Sequence, residues 1–330
     1  MNEVNFKEQC EMLVNSAIEF RAKEFINKGT LELDYTISDK MEMGGYSRIE
    51  DGKYTFVINY GVFKKLFDIF NVLLYKENEI FYRMVSLEEE YDPQKAQLYF
   101  DLLLEVASKV IIFHELGHVL NGHLAYINKE LDSKHMNLFM KSDKNSIHPM
   151  LSRTLEMNAD AFAATSVLAQ LTYQKNINRY NELSDQLIKD KSHAYVLFFI
   201  ATDILFSLMG TGKNRAETDI QLAKYLPLRT RLDCLVENSL AAYYNLNPER
   251  IQDSNYLNIQ FFREVAPNIE AFVNHYFRDV EGIPEEQYST KNNGGEISEE
   301  YLRHSELVRR YWSSDIVDKM EKYSYFTLPQ

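Results

Sequence analysis

The sequence predicts an α+β fold, mainly α-helical, in which a small N-terminal β-hairpin or sheet lies against one long helix. Three observations carry this. Apolar residues recur at helical spacing, most plainly from Pro93 onward, where Leu102, Val106, Val110, Phe113, Gly117, Leu120 and Leu124 mark one stripe. From Thr30 the period shifts toward two, with Leu31, Leu33 and Tyr35 alternating with Glu32 and Asp34. Glu50-Asp51-Gly52-Lys53 is then a turn signal between two strand-like runs, Tyr46 to Ile49 and Tyr54 to Asn59.

Taken in order, residues 3 to 27 read as an amphipathic helix whose apolar side holds Phe6, Cys10, Leu13, Val14, Ala17, Ile18 and Phe25, with Gly29 ending it. The hairpin follows; either it only covers the core or, as the resemblance given below implies, Tyr54 to Asn59 is an edge strand that pairs with an extended substrate. Gly61 to Leu74 reads as a helix, and 79 to 85 as a further turn of helix or a strand. The long helix runs from about 94 to 128, and a polar connector, Lys129 to His148, leads to a second helix that begins after Pro149. Ile177 to Asp190 is a polar helix. Ala194 to Met209 is the most apolar stretch, but Thr202 and Asp203 interrupt it and it is short of the roughly 20 residues a membrane span needs, so it reads as a buried helix. Another helix after Pro227 carries Arg231, Leu232 and Leu235. Residues 1–280 are expected to form one domain, 281–296 a Gly- and Asn-rich linker, and 297–330 a charged helical segment packed on the core.

Composition excludes several roles. At 330 residues and 45% hydrophobic content the chain can bury one large core or two modest ones. A formal charge of -13 without a basic block disfavours nucleic acid as a partner. Cys10 and Cys234 are too few for a disulfide framework, and the first residues lack the basic and apolar regions of a secretory signal; a cytoplasmic protein is expected.

The chemistry sits in Phe113-His114-Glu115-Leu116-Gly117-His118. Imidazoles at i and i+4 share a helix face, one turn apart, and can converge on one metal ion, for which zinc is the expected identity. Glu115 projects beside that metal, where it can take a proton from a water that the metal acidifies. His114 and His118 continue the line Leu103, Ala107, Ile111, a face the periodicity marks as buried. A lone core histidine is usually satisfied by backbone, but two of them with a Glu between are harder to satisfy without a cation. Gly117 in mid-helix costs about 1 kcal/mol relative to Ala, which points to close packing of another element there.

Two histidines leave zinc short of the three protein ligands usual at catalytic sites. Glu156 and Asp160, one turn apart on the second helix and in line with Ala163 and Val167, supply the candidates. Buried carboxylates need a cation. Glu156 is expected as third ligand and Asp160 as acceptor of a ligand histidine's free N–H; the alternative is a salt bridge of both to Arg153 or another base on a half-exposed face. His123 is assigned to packing or to the substrate side. An oxyanion donor is sought among His193, Tyr195, Tyr225, Arg229 and Arg231, with Arg231 preferred, or else bound to Glu156 and Asp160.

His-Glu-x-x-His followed on a later helix by a Glu, with an Asp one turn on, resembles the gluzincin metallopeptidases. The Glu156-to-Asp160 stretch, with Pro227 and Arg231-Leu232, is most similar to the branch holding the CaaX prenyl proteases and HtpX-like membrane peptidases, although the membrane spans of that branch are missing. Lit-type phage-exclusion peptidases, cytoplasmic enzymes that attack a host protein, are a further resemblance. The resemblance implies a zincin-like catalytic core, with His114, His118 and Glu156 as ligands, Glu115 as base and Asp160 supporting a ligand. It also implies a protein or peptide substrate and, as a further partner, an activating protein. The contrasting expectation is a partner-binding module with a structural zinc, for instance with His123 as fourth ligand.

Overall fold

A computed structural model describes residues 3–76, 81, 92–131, 135–137, 148–181, 187–188, 191–210, 228–246, 259–284 and 299–328. The architecture is mainly helical with a small mixed sheet, as the periodicities predict. The N-terminal segment is two helices rather than one, α1 (Glu3–Arg21) and α2 (Lys23–Asn27), separated at the buried Ala22. Phe6, Cys10, Val14 and Ala17 form its buried line. Gly29 takes φ +68°, a left-handed conformation that ends the helix.

Strands β1 (Leu33–Ser38), β2 (Gly45–Glu50) and β3 (Lys53–Asn59) follow. The β2–β3 turn has positive φ at both Asp51 (51°) and Gly52 (83°), the requirement of a type I′ turn. A fourth strand, β4 (His135–Asn137), comes from the connector that the sequence reads as a polar loop, and the sheet order is β1-β3-β2-β4. This corrects the edge assignment: Tyr54 to Asn59 is internal, parallel to β1 on one side and antiparallel to β2 on the other. Strand alternation can identify β3, but not the neighbours that close its two edges.

Helix α3 (Tyr60–Tyr75) leads toward α4 (Pro93–Leu120), which bears the motif. Asp92 caps α4 by accepting from Gln94 N at 2.8 Å, with Pro93 in the first turn where its missing N–H is harmless. The helix expected to reach 128 instead stops at Asn121-Gly122 and restarts as α5 (His123–Leu131). Gly122 has φ +78°, and a Cβ there would lie 2.5 Å from the Tyr323 carbonyl carbon. Tyr325 N donates to Leu120 O at 2.8 Å, so the C-terminal segment caps the end of α4.

The second helix, α6 (Pro149–Thr172), packs along α4. Gly117 is where they approach closely: a Cβ there would be 3.2 Å from Phe162 Cδ1 and 3.4 Å from Ala159 Cα. The remaining helices are α7 (Gln174–Asn181), α8 (Lys191–Gly210), α9 (Leu228–Leu246), α10 (Ile259–Asn274), α11 (Glu299–Tyr311) and α12 (Val317–Glu321). Helix α8 extends beyond the stretch read as too short and is long and apolar enough to cross a membrane, but 89% of its His193–Gly210 window is buried inside the protein, as expected of a core helix. Trp312, Ile316, Val317 and Met320 join the common core, so the C-terminal segment packs on the rest. Of the linker 281–296, only 281–284 lie within the described residues.

Candidate metal centre

The site is assembled from four helices and one strand. Helix periodicity puts His114 and His118 on the same side of α4, facing Glu156 and Asp160 of α6. The His114 and His118 Nε2 atoms are 3.1 Å apart. Glu156 Oε2 lies 3.4 Å from His114 Nε2, and Glu156 Oε1 lies 3.6 Å from His118 Nε2. All three side chains are at most 2% exposed. They form a cluster of ligand atoms able to hold a metal ion.

The other ring nitrogens settle the tautomers. His114 Nδ1 is 2.8 Å from Asp160 Oδ1, so it donates there and leaves a lone pair on Nε2. Asn158 Oδ1, an acceptor, takes Asn121 Nδ2–H at 2.6 Å and faces His123 Nε2 at 2.9 Å, so His123 carries its proton on Nε2. His123 Nδ1 is then an acceptor, and His118 Nδ1, 2.9 Å away, donates to it. His118 Nε2 is therefore also a bare lone pair. With His114 neutral, two imidazole lone pairs and both oxygens of a buried carboxylate thus converge; without a cation His114 keeps a proton on Nε2, which faces His118 Nε2 at 3.1 Å. Neither Glu156 oxygen has a hydrogen bond. A divalent cation fits this donor set, two imidazoles and one carboxylate, takes the place of the proton held between the rings, and satisfies both Glu156 oxygens. Nitrogens bound to one zinc at about 2.0–2.1 Å cannot be much more than 4 Å apart, and the 3.1 Å separation meets that condition.

Charge distribution agrees. Burial works against a charged His114, but the Asp160 and Glu156 carboxylates outweigh it and raise its pKa to about 9. The pocket draws in positive charge. His118, with no carboxylate on Nδ1, is pushed well below the ordinary imidazole value by burial and by His114, and burial takes His123 to about 3. Burial also disfavours ionised Asp160, yet Arg231 and His114 hold it below the usual carboxylate range.

Arg231 of α9 donates from Nε to Asp160 Oδ2 and from a terminal nitrogen to Asp160 Oδ1, each at 2.8 Å, and stands 3.4 Å from Glu156 Oε2. That bidentate hold realises the carboxylate-binding alternative rather than the oxyanion role first preferred for Arg231. Arg153, the competing base, faces His304 Nδ1 at 3.3 Å instead. The Tyr195 hydroxyl is bonded to Ser239 and Val236 O, and His193 stands against the Tyr99 ring. Tyr225 and the Arg229 side chain lie outside the described residues.

Glu115, wholly buried, has Oε2 2.5 Å from Ser47 Oγ, while its Oε1 has no hydrogen bond. Burial raises its carboxyl to about 7, against the lowering pull of His114 and Ser47. The structure brings together every residue that the motifs nominate. Ser47, Asn121 and Asn158 are participants that sequence reasoning misses, and His123 proves to be a support of His118 rather than packing. Asn158 lies between Glu156 and Asp160, the stretch the metal motif itself marks; an isolated Ser47 on a strand, or Asn121 at a helix end, carries no local signal.

The sequence matches no protein-family model, and no curated protein and no solved structure matches it. Its functional reading rests on the geometry of this centre.

Proposed function

We propose that the protein is a zinc metallopeptidase, with His114, His118 and Glu156 holding the ion and Glu115 as general base. The observation that carries this is the convergence of two imidazole Nε2 atoms on a buried carboxylate whose own oxygens have no hydrogen bond, beside a second buried carboxylate with a free oxygen. Zinc held there supplies Lewis acidity, polarising a carbonyl and making a water acidic near neutral pH. Glu115 Oε1 takes the proton and later delivers it to the leaving amine. Asp160 keeps His114 in the tautomer with a free Nε2, and Arg231 keeps Asp160 ionised.

The zincin-like character of the core and kinship with gluzincin peptidases belong to this reading. So do a cytoplasmic location, supported by two buried free cysteines, and a protein substrate. With Glu115 at 0% and His118 at 1% exposure, a protein chain cannot lie against the centre as it stands, although a small ligand can enter, and this supports the further partner, an activating protein. The same burial favours a second reading, a partner-binding module with a structural zinc. It does not favour His123 as fourth ligand, because both of its nitrogens are engaged elsewhere.

Metal content of the purified protein beside Glu156→Ala is the primary test. About one zinc per chain, lost or weakened in the variant, is expected; zinc indifferent to Glu156, or none, removes the centre. Glu115→Gln keeps the zinc and lowers cleavage of labelled casein by about 10²-fold or more. Cleavage unchanged in that variant sinks the base assignment and favours the structural-zinc reading.

A further inference from the structure

Glu115 is gripped from the sheet side by two residues that the metal motif does not announce. Gly45, Ser47 and Ile49 are the buried positions of β2, on the face turned inward. Ser47 Oγ lies 2.5 Å from Glu115 Oε2 and 3.1 Å from the Glu115 carbonyl oxygen. A serine has one proton to give, and the shorter contact to a charged oxygen takes it. Gly45 leaves room for the other oxygen: a Cβ there would sit 2.9 Å from Glu115 Oε1 and 3.0 Å from Val57 O. The strand holding both is itself held on either side, with Ser47 paired to Phe56 of β3 and to Met136 of β4. The hydroxyl therefore has a fixed origin and the carboxylate must come to it.

We infer that Ser47 is a positioning residue for Glu115, tying down Oε2 so that Oε1 is left as the proton-accepting atom, while Gly45 clears the space in which Oε1 stands. This rests on the reading of Glu115 as general base. A structural serine would be satisfied by the backbone carbonyl it already faces; here it turns to the carboxylate of the one residue whose orientation the chemistry needs.

The test uses the zinc-loaded protein and acetohydroxamate, a small zinc-chelating acid that shares its proton with a neighbouring carboxylate when bound. Its affinity is measured by calorimetry for wild type, Ser47→Ala, Ser47→Thr, Glu115→Gln and the Ser47→Ala/Glu115→Gln double variant, with zinc content and thermal midpoint checked on each. Ser47→Ala should weaken binding about three- to tenfold, the scale of one lost hydrogen bond, and Ser47→Thr should restore it to within about twofold. In the Glu115→Gln background Ser47→Ala should add nothing, because its effect passes through Glu115. Gly45→Ala, which presses on the opposite oxygen, should show the same dependence on Glu115 and stands in if Ser47→Ala fails to fold. A Ser47 effect that persists undiminished without Glu115, or no effect at all, overturns the positioning role and leaves the peptidase reading standing. Zinc-loaded wild type that binds no acetohydroxamate lacks an open metal position, and that overturns the peptidase reading itself.

Discussion

The two histidines of the candidate metal centre are one helical turn apart and are supported in opposite ways. His114 leans on a charged chain, Asp160 held by both donors of Arg231. His118 leans on a neutral one, His123 held by Asn158, which is held in turn by Asn121. The charged support raises His114 to about 9, whereas His118 falls well below its ordinary value. Both supports deliver the same tautomer, with a bare Nε2. Only the charged one also adds negative potential at the candidate metal position, balanced by an arginine that holds Asp160 below the usual carboxylate range despite its burial. One chain thus sets orientation and charge together, and the other sets orientation alone.

Breaking the charged side should have the larger consequences. Arg231→Met removes the cation that faces both Asp160 and Glu156 and leaves buried carboxylates uncompensated. Metal-free protein should lose about 3–5 kcal/mol of stability in denaturant unfolding, and zinc should recover part of it; a loss below about 1 kcal/mol would mean that the bidentate pair matters little. Asp160→Asn comes next. Its amide oxygen can still accept from His114 Nδ1 but without charge, and zinc affinity measured by chelator competition should fall about 10–100-fold. His123→Phe keeps a ring of similar size and removes the acceptor for His118 Nδ1. With only an orientation lost, the fall in zinc affinity should be about tenfold at most, the low end of such supports. If His123→Phe proves as damaging as Asp160→Asn, the distinction between the two supports is wrong.

The same contrast marks how far the sequence could be read. The charged chain was partly legible, since Glu156 and Asp160 share a helical line with apolar residues and two acids there demand a partner. Their partner was ambiguous: Arg153 is three residues from Glu156, yet it faces His304, while Arg231 arrives from α9. The neutral chain was not legible. Periodicity carried the motif helix straight to 128, and on a continuous helix His123 would point away from His118. The left-handed Gly122, with Tyr323 pressed against it, breaks α4 and folds His123 back onto the site. Strand β4 was missed for a related reason: three residues, 135–137, show no period and become a strand only because β2 offers a free edge.

By itself, the sequence determined what helix geometry dictates locally: a His-Glu-x-x-His face on α4, a Glu and an Asp one turn apart on α6, and the alternation of strands before them. These follow from the 3.6-residue turn and the two-residue pleat, which need no knowledge of the neighbours. Tertiary structure alone decided that Arg231 rather than Arg153 neutralises Asp160, that His123 supports His118, that Ser47 meets Glu115, and that β3 lies inside the sheet. Each is a contact between segments far apart in the chain or across a break in a helix. Such contacts depend on which faces close on one another once the core is packed, and no short-range period records that.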